Sequence, residues 1–252
     1  MITQEALRQL ATQHQTSEFP NIVREYFQHL FLVELSKREG AEKLLFKGGT
    51  ALRIVYGSPR FSEDLDFSMF GVRADQTQRF VEDHFEGVLS AMAKSGVRVE
   101  LGQANVTTGG YFGDATFTMA EYQPVTVAIN ISNRNGRNVT GEVDAIANDF
   151  IPTYTLVHLP KEQIVEEKIF SALLERGKAR DFYDCYFMLR KNMLTPDQKK
   201  RLVEHRDALV EDAKRMDFRS ELGTFLPIDH QAIIADFAST LRSELDRQLS
   251  TS

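Results

Sequence analysis

Asp64 and Asp66 stand one residue apart in the run Phe61-Ser-Glu-Asp-Leu-Asp-Phe-Ser68. On a strand, residues two apart share a face, so both carboxylates point one way while Leu65 and Phe67 point the other way, into a core. Two adjacent carboxylates repel unless a cation neutralises them, and hard oxygen ligands favour Mg2+ or Mn2+. A solvated strand face, or a pair bridged by Arg53 or Arg60, fits the same pattern. Upstream lies Lys47-Gly48-Gly49-Thr50. Successive glycines let backbone N–H groups converge on a phosphate, and Thr50 can bind a phosphate oxygen or cap the helix that follows. An ordinary tight turn between strand and helix gives the same residues. The chain has no GxxxxGK[ST] motif. Arg60 and Ser62 sit just before the carboxylates, where they can touch phosphate oxygens; Arg60 pairing with Asp64 or Glu63 is the alternative. A phosphate turn, a short helix and a carboxylate pair are together the parts that nucleotidyl transfer requires.

A second constellation is Glu166-Glu167-Lys168 followed by Arg176-Gly-Lys-Ala-Arg-Asp181-Phe-Tyr-Asp184. On a helix over 161–175 the apolar face is Ile164, Val165, Ile169 and Leu173. Lys168 lies beside that face and can project toward the first half of the chain. Asp181 and Asp184, three apart on the next helix, share a side. A charge-rich solvated helix pair, with Asp181 complementing a helix N-terminus, accounts for the same residues. The six histidines show no metal-ligand spacing, and Cys185 reads as a small core residue.

The elements that must position these groups follow from periodicity. Residues 1–17 predict one short helix, and Asn21–Lys37 a core helix with Pro20 in its first turn and Gly40 as C-cap. Leu44–Phe46 predicts a buried strand, Ala51–Tyr56 a short helix, and the strand carrying Asp64 and Asp66 comes next. A helix over 75–95 and a strand over Val97–Leu101 follow. A turn is expected at Gly109-Gly110. Antiparallel strands are expected over Ala115–Met119 and Val125–Ile131, and a loop over Asn133–Gly136. Glu142–Tyr154 is mixed. Beyond residue 158 the patterns are helical: 161–175, 179–191, 196–212 with Thr195 as N-cap, and 230–248. The expected domains are therefore 1–158, an α/β half, and 159–252, an all-helical half.

The chain has 252 residues, 42% hydrophobic and 26% charged, which suits a water-soluble protein with a sizeable core. Its net charge of −6 means that contact with a polyanion must use a local patch. Candidates are Arg176, Lys178, Arg180, Arg190, Lys191, Lys199, Lys200 and Arg201, which serve equally as solvated helix faces. One cysteine excludes an internal disulfide and a multi-Cys zinc site. The N-terminal run shows no signal peptide, and no apolar run reaches the roughly 20 residues of a membrane span, so a cytoplasmic location without membrane contact is expected.

Residues 47–68, KGGTALRIVYGSPRFSEDLDFS, resemble the signature of the AbiEii/AbiGii toxin nucleotidyltransferase family, and 163–189 resemble that family's later block, in which a lysine precedes an RGKxRDxYD run. The resemblance implies an α+β fold: a DNA polymerase β-like nucleotidyltransferase core, with a mixed or antiparallel sheet and helices, followed by an all-helical C-terminal domain. It implies nucleotide and Mg2+ (or Mn2+) binding by Gly48, Gly49, Thr50, Asp64 and Asp66, with Lys168 on the nucleotide phosphates and Asp181 as a further essential residue. It also implies an NTP substrate, a role in a toxin–antitoxin or phage-abortive system, an antitoxin encoded nearby, and an RNA acceptor such as the tRNA 3′ end. With the residue reading, the expected catalytic set is Asp64, Asp66, Lys168 and Asp181. The expected nucleotide-binding set is Lys47, Gly48, Gly49, Thr50, Arg60, Ser62 and Lys168. Polymerase β-like sites often add a third carboxylate from a neighbouring strand. Here Asn130 occupies the expected place, so the third carboxylate is either dispensable or supplied by Asp144 or Asp181.

Overall fold

Helix α1 (Gln4–Gln13) begins where the Thr3 hydroxyl accepts from Ala6 N–H at 3.2 Å, a side-chain N-cap. Helix α2 (Phe19–Ser36) carries Pro20 in its first turn. Gly40, expected to cap α2, instead has φ of 87° and opens a 3-10 turn over Ala41–Lys43. The computed structural model describes residues 2–102, 105–107, 110–119, 122–134 and 139–249. Gly109 of the expected Gly109-Gly110 turn, and Asn135-Gly136 of the expected loop, lie outside these residues. By contact density the chain divides into Met1–Gly57 with Phe61–Leu159, and Ser58–Arg60 with Pro160–Ser252.

The first unit continues with β1 (Leu44–Lys47), α3 (Gly48–Ile54), β2 (Leu65–Met69), α4 (Thr77–Lys94), β3 (Arg98–Leu101), β4 (Asn105–Thr107), β5 (Gly110–Thr118), β6 (Val125–Asn133), β7 (Glu142–Ile146) and β8 (Tyr154–His158). These strands form one eight-stranded mixed sheet in the order β3-β5-β6-β2-β1-β8-β7, with β4 paired to β5. β5 and β6 are antiparallel, as their alternating sequences predict, whereas β2 runs parallel to β6 and β1 parallel to β8. On one face Leu65, Phe67, Val127 and Ile129 are buried. Phe46 meets Phe67 at 5.5 Å between ring centroids, and Phe27 of α2 stacks on Phe117 at 5.2 Å. Each such fully buried side chain contributes about 1.5–3 kcal/mol. The other face carries Asp66 and Asn130 at matched register. The Asp-Leu-Asp-Phe alternation thus sorts apolar from acidic groups as expected.

Among its described residues the second unit contains helices and no strand. Helix α5 (Lys161–Val165) runs on through a π-helical stretch, Glu166–Leu173, into α6 (Leu174–Arg176). Sequence periodicity outlines this rod but not its π winding. Gly177, with φ of 57°, ends it in a left-handed conformation. Then come α7 (Ala179–Arg190), α8 (Pro196–Val203), α9 (Arg206–Ala213), α10 (Phe218–Leu222), a 3-10 segment over Ile228–Asp236, and α11 (Phe237–Leu249). Thr195 caps α8 reciprocally with Gln198. The single helix expected over 196–212 is broken between Val203 and Arg206, and the first part of the one expected over 230–248 is wound as 3-10 helix. Phe182, Tyr183, Phe218 and Phe237 form an aromatic core, with Phe218 and Phe237 at 4.3 Å.

On α2, Glu25 receives two bonds from Arg53 at 2.9 and 3.0 Å, and Arg53 lies 4.0 Å over the Phe61 ring. Arg53 thus ties α3 to α2 through Glu25. One turn on, His29 Nδ1 meets the Tyr154 hydroxyl at 3.0 Å. Burial pushes the His29 imidazole down from 6.5 to about 4, with Glu25 opposing and Arg53 assisting. The unfolded chain takes up this proton near 6.5 and the folded one near 4, so stability is fully present above pH 6.5 and is lost as pH falls toward 4. Between pH 7.5 and 5.0 the loss amounts to about 2 kcal/mol. Denaturant titrations at both pH values are expected to show a pH dependence smaller by that amount in His29→Gln; an identical pH dependence in the variant would sink this account.

Candidate functional site

β1 ends at Lys47, directly opposite Asp66 on β2. Opposed residues of an antiparallel pair share a face, so the lysine and the aspartate lie on the same polar surface. The next residue, Gly48, has φ of 85° and starts α3 at once, with no intervening loop. A Cβ built on Gly48 would stand 2.2 Å from Asp66 Oδ2 and 2.9 Å from Asp66 Cβ. Only glycine meets both the backbone angle and the close approach. Gly48, the first of the two adjacent glycines, and the carboxylate motif are thus packed against each other.

Asp66 is held from its other side by β6. Asn130 Nδ2 donates to Asp66 Oδ1 at 2.9 Å, across the parallel β2–β6 register. Asp64 precedes β2 rather than lying within it, because β1 has already turned into α3 and offers no further backbone to pair with. Its carbonyl accepts from the Thr50 hydroxyl instead. Gln28, buried on α2, donates to the carbonyls of Ser62 and Glu63 at 3.0 and 3.1 Å. The backbone over 62–64 is therefore fixed by a helix on one side and by Thr50 on the other. Thr50, expected on a phosphate, spends its hydroxyl proton on this support. Gln28 was not legible in the sequence, since nothing in a polar residue on a helix announces a partner more than thirty positions away.

Asn130 thus stands where a third carboxylate was sought, and among the described residues no group of three or more His, Cys, Asp or Glu can hold a metal ion. Asp144 does not supply the third carboxylate. It lies on β7, separated from β2 by β1 and β8, about 14 Å away at ordinary strand spacing, and it bonds His158 Nε2 at 2.9 Å.

The second unit holds the other predicted residues. Asp184 is fully buried and accepts from Arg60 Nε at 2.9 Å and from Arg60 Nη2 at 2.8 and 3.0 Å, and from Lys168 Nζ at 2.8 Å. Burial alone would raise this carboxyl, but the Arg60 and Lys168 charges outweigh it and hold it below the usual carboxylate range. Arg60, expected on a phosphate or on Asp64 or Glu63, makes its bidentate pair here, and Lys168 shares the same acceptor. Asp181 is also fully buried. Its oxygens accept from the Arg176 guanidinium and, at 3.1 Å, from Lys178 N–H at the start of α7. This placement commits Asp181 to fixing the first turn of α7. The sequence signal for Asp184, its spacing of three from Asp181, was present but did not distinguish the partners of the two carboxylates.

Several of the candidate basic residues are spoken for. Arg201 forms a two-pronged pair with Glu166 at 2.9 and 2.7 Å and lies 3.8 Å over Phe170. Lys199 donates to Asn192 and Gln248, and Arg190 donates to the Tyr186 hydroxyl. Lys178, Arg180, Lys191 and Lys200 are exposed. None of the described helices is long and apolar enough to cross a membrane.

The fold is similar to three solved structures. MenT4, a nucleotidyltransferase toxin of Mycobacterium tuberculosis H37Rv, superposes with a TM-score of 0.67 at 18% identity, over 97% of this chain and 89% of that one. A Helicobacter pylori structure described as a nucleotidyltransferase gives 0.63 at 19% identity, over 99% and 97%. JHP933 of Helicobacter pylori gives 0.62 at 19% identity, over 100% and 94%. At these identities the likeness establishes the fold alone. No curated protein is significantly similar in sequence. The family described as nucleotidyl transferase AbiEii toxin, type IV TA system, matches residues 30–250, which takes in both motif blocks and the polar face built from Lys47, Gly48, Asp66 and Asn130: the chain belongs to the AbiEii family of nucleotidyltransferase toxins.

Proposed function

We propose that the chain transfers a nucleotide from an NTP to an RNA acceptor, with the tRNA 3′ end favoured, and that growth or phage propagation stops as a result. The observation that carries this reading is the packing of Gly48 against Asp66, which joins the phosphate turn to the carboxylate motif. The NTP donor and RNA acceptor place the reaction in the cytoplasm. An antitoxin encoded nearby is the expected counterpart.

The donor set fits a hard divalent cation. Mg2+ commonly takes only one or two protein carboxylates and completes its shell with water and substrate phosphates. Asp64 and Asp66 would hold Mg2+ or Mn2+, and Asn130 can turn its amide oxygen to the same place. When bound, the ion supplies charge neutralisation on the triphosphate and activation of the attacking hydroxyl. Lys47, the Gly48 and Gly49 N–H groups and Ser62 would hold phosphate oxygens. Thr50 keeps the Asp64 backbone in place. Lys168 would offset charge on the triphosphate.

A second reading is a nucleotide-binding protein without transferase activity, favoured by the Asn130 amide where a carboxylate would assist catalysis. Incubation with labelled NTP and total RNA separates the two. Nucleotide binding by calorimetry with no labelled product would favour the second.

Three outcomes follow from the transferase reading. Asp66→Ala and Gly48→Ala are each expected to lower transfer at least about 100-fold, the first by removing a ligand and the second by driving a methyl group into Asp66; full transfer by either variant, folded by circular dichroism, would defeat it. Asn130→Asp replaces a donor to Asp66 with a second carboxylate. Without metal it should cost about 1–3 kcal/mol of stability, recovered on adding Mn2+, and a melting temperature indifferent to Mn2+ would contradict the metal assignment. Reversing the exposed charges at Lys178 and Arg180 should weaken RNA binding and lower its salt slope by about one to two. An unchanged slope would remove α7 from the RNA surface.

A further inference from the structure

Between α4 and the sheet of the first unit lies a half-open cavity of about 660 Å³, lined by residues of α4, β3, β5 and β6. A missing side chain helps to create it. Gly113 of β5 pairs with the buried Ile129 of β6, and a Cβ at Gly113 would stand 3.2 Å from the Tyr111 ring. A glycine inside a strand packs nothing of its own and often marks the close approach of a ligand. The walls are otherwise apolar: Phe85 and Leu89 from α4, Val99 and Leu101 from β3, and Ile129. Leu101 is 66% exposed. A cavity of this volume and lining suits a small organic molecule.

The charge of the lining has one sign. Glu82, Glu86 and Asp114 contribute carboxylates, and no Lys, Arg or His lines the cavity. Glu82 and Glu86 are one helical turn apart on α4, so they share a side and repel. Gln78 donates to Glu82 at 2.9 Å, and the nearby Arg79 pairs with Asp83. Among the described residues, none of the three carboxylates forms an ion pair with a lysine or arginine. Asp114 is set against Gly102, where a Cβ would lie 2.2 Å from its Oδ2. Phe85 meets the Tyr111 ring edge-on at 6.1 Å between centroids. Burial, assisted by the Glu82 charge, pushes the Tyr111 phenol above its ordinary range, so the carboxylate field reaches the aromatic lining.

Carboxylates and an aromatic ring both favour a cation, whereas they repel a nucleoside triphosphate. An inorganic cation would leave the apolar walls unused, and a hydrocarbon would leave the carboxylates unmatched. The cavity is also separate from the phosphate turn. Ile129 belongs to the apolar side of the sheet with Leu65, while Asp66 and Asn130 occupy the other side.

We propose that this cavity binds an organic cation, with an aromatic or branched aliphatic body against Phe85, Leu89 and Ile129 and an ammonium group matched by Glu82, Glu86 and Asp114. Calorimetric titration of the full chain with naphthylmethylamine, naphthylmethanol and naphthylacetate tests it, because the three probes share a ring and differ in charge. The amine is expected to bind with Kd of about 10–100 μM, the alcohol about tenfold more weakly and the acetate not measurably. Glu82 and Glu86 are exposed, so the double variant Glu82→Gln/Glu86→Gln should fold as the wild type does, checked by melting. It is expected to weaken the amine about tenfold, to the level of the alcohol, and to leave the alcohol unchanged. Ser90→Phe, which puts a ring into the cavity, should weaken amine and alcohol alike. No binding of the amine, acetate binding as tight as the amine's, or an unchanged amine affinity in the double variant overturns the proposal. Sedimentation is expected to show a monomer; a dimer that Leu101→Glu dissociates would give this face to a second copy of the chain and overturn it too.

Discussion

The approach of Gly48 to Asp66 is the contact on which the rest of the first unit's polar face depends. A side chain at position 48 would overlap the carboxylate, and the backbone there is left-handed. Because glycine allows both, β1 can pass into α3 without a loop. That immediate start brings Thr50 level with the Asp64 carbonyl and makes Lys47 the last residue to pair with β2. Had α3 begun two residues later, Thr50 would lie elsewhere and the chain ahead of Asp66 would lose one of its two supports. The glycine therefore does more than turn: it sets where the carboxylate loop can be.

The two units meet the cost of a buried or half-buried carboxylate in different ways. Asp184 is compensated by full charges, Arg60 and Lys168, which outweigh its desolvation. Asp66 is compensated by dipoles and a neighbouring lysine: the Asn130 amide donates to it, and Lys47 faces it across the strand pair. A neutral donor leaves the carboxylate its negative charge and its capacity to bind a cation, whereas a fixed guanidinium would cancel both. Asn130 thus stabilises Asp66 at a position where a further carboxylate would add repulsion.

How much of this was legible in the sequence depended on whether the signal was local. The alternation Asp64-Leu65-Asp66-Phe67 showed which side chains would be buried, because strand geometry acts on adjacent residues. The same rule placed β5 and β6, and the helical periodicity expected beyond residue 158 agrees with the helices that follow β8. Asn130 was found because a strand neighbouring Asp66 had to exist and β6 had the right composition. Pairing partners were not legible. Arg60 reads as a phosphate ligand beside Asp64, yet it makes a bidentate pair with Asp184, more than a hundred residues away. Arg53 likewise goes to Glu25, and Arg201 and Lys199 turn from a basic patch into intramolecular bonds. Charge type is written in the sequence, but long-range choice among oppositely charged partners is made by packing.

The π-helical stretch shows the same limit within one element. Apolar spacing at Ile164, Val165, Ile169 and Leu173 defines a rod, and all four are buried. Under α-helical winding, however, each residue after the wide turn would be rotated from the direction it actually takes, and Lys168 lies inside that turn. Winding changes where a side chain points without changing which residues are apolar, so periodicity cannot detect it. What fixes the direction of Lys168 is its bond to Asp184 on a different helix. The later motif block is accordingly best understood as one physical unit: a lysine whose aim is set by the wide turn beneath it, and a carboxylate on α7 that holds it there.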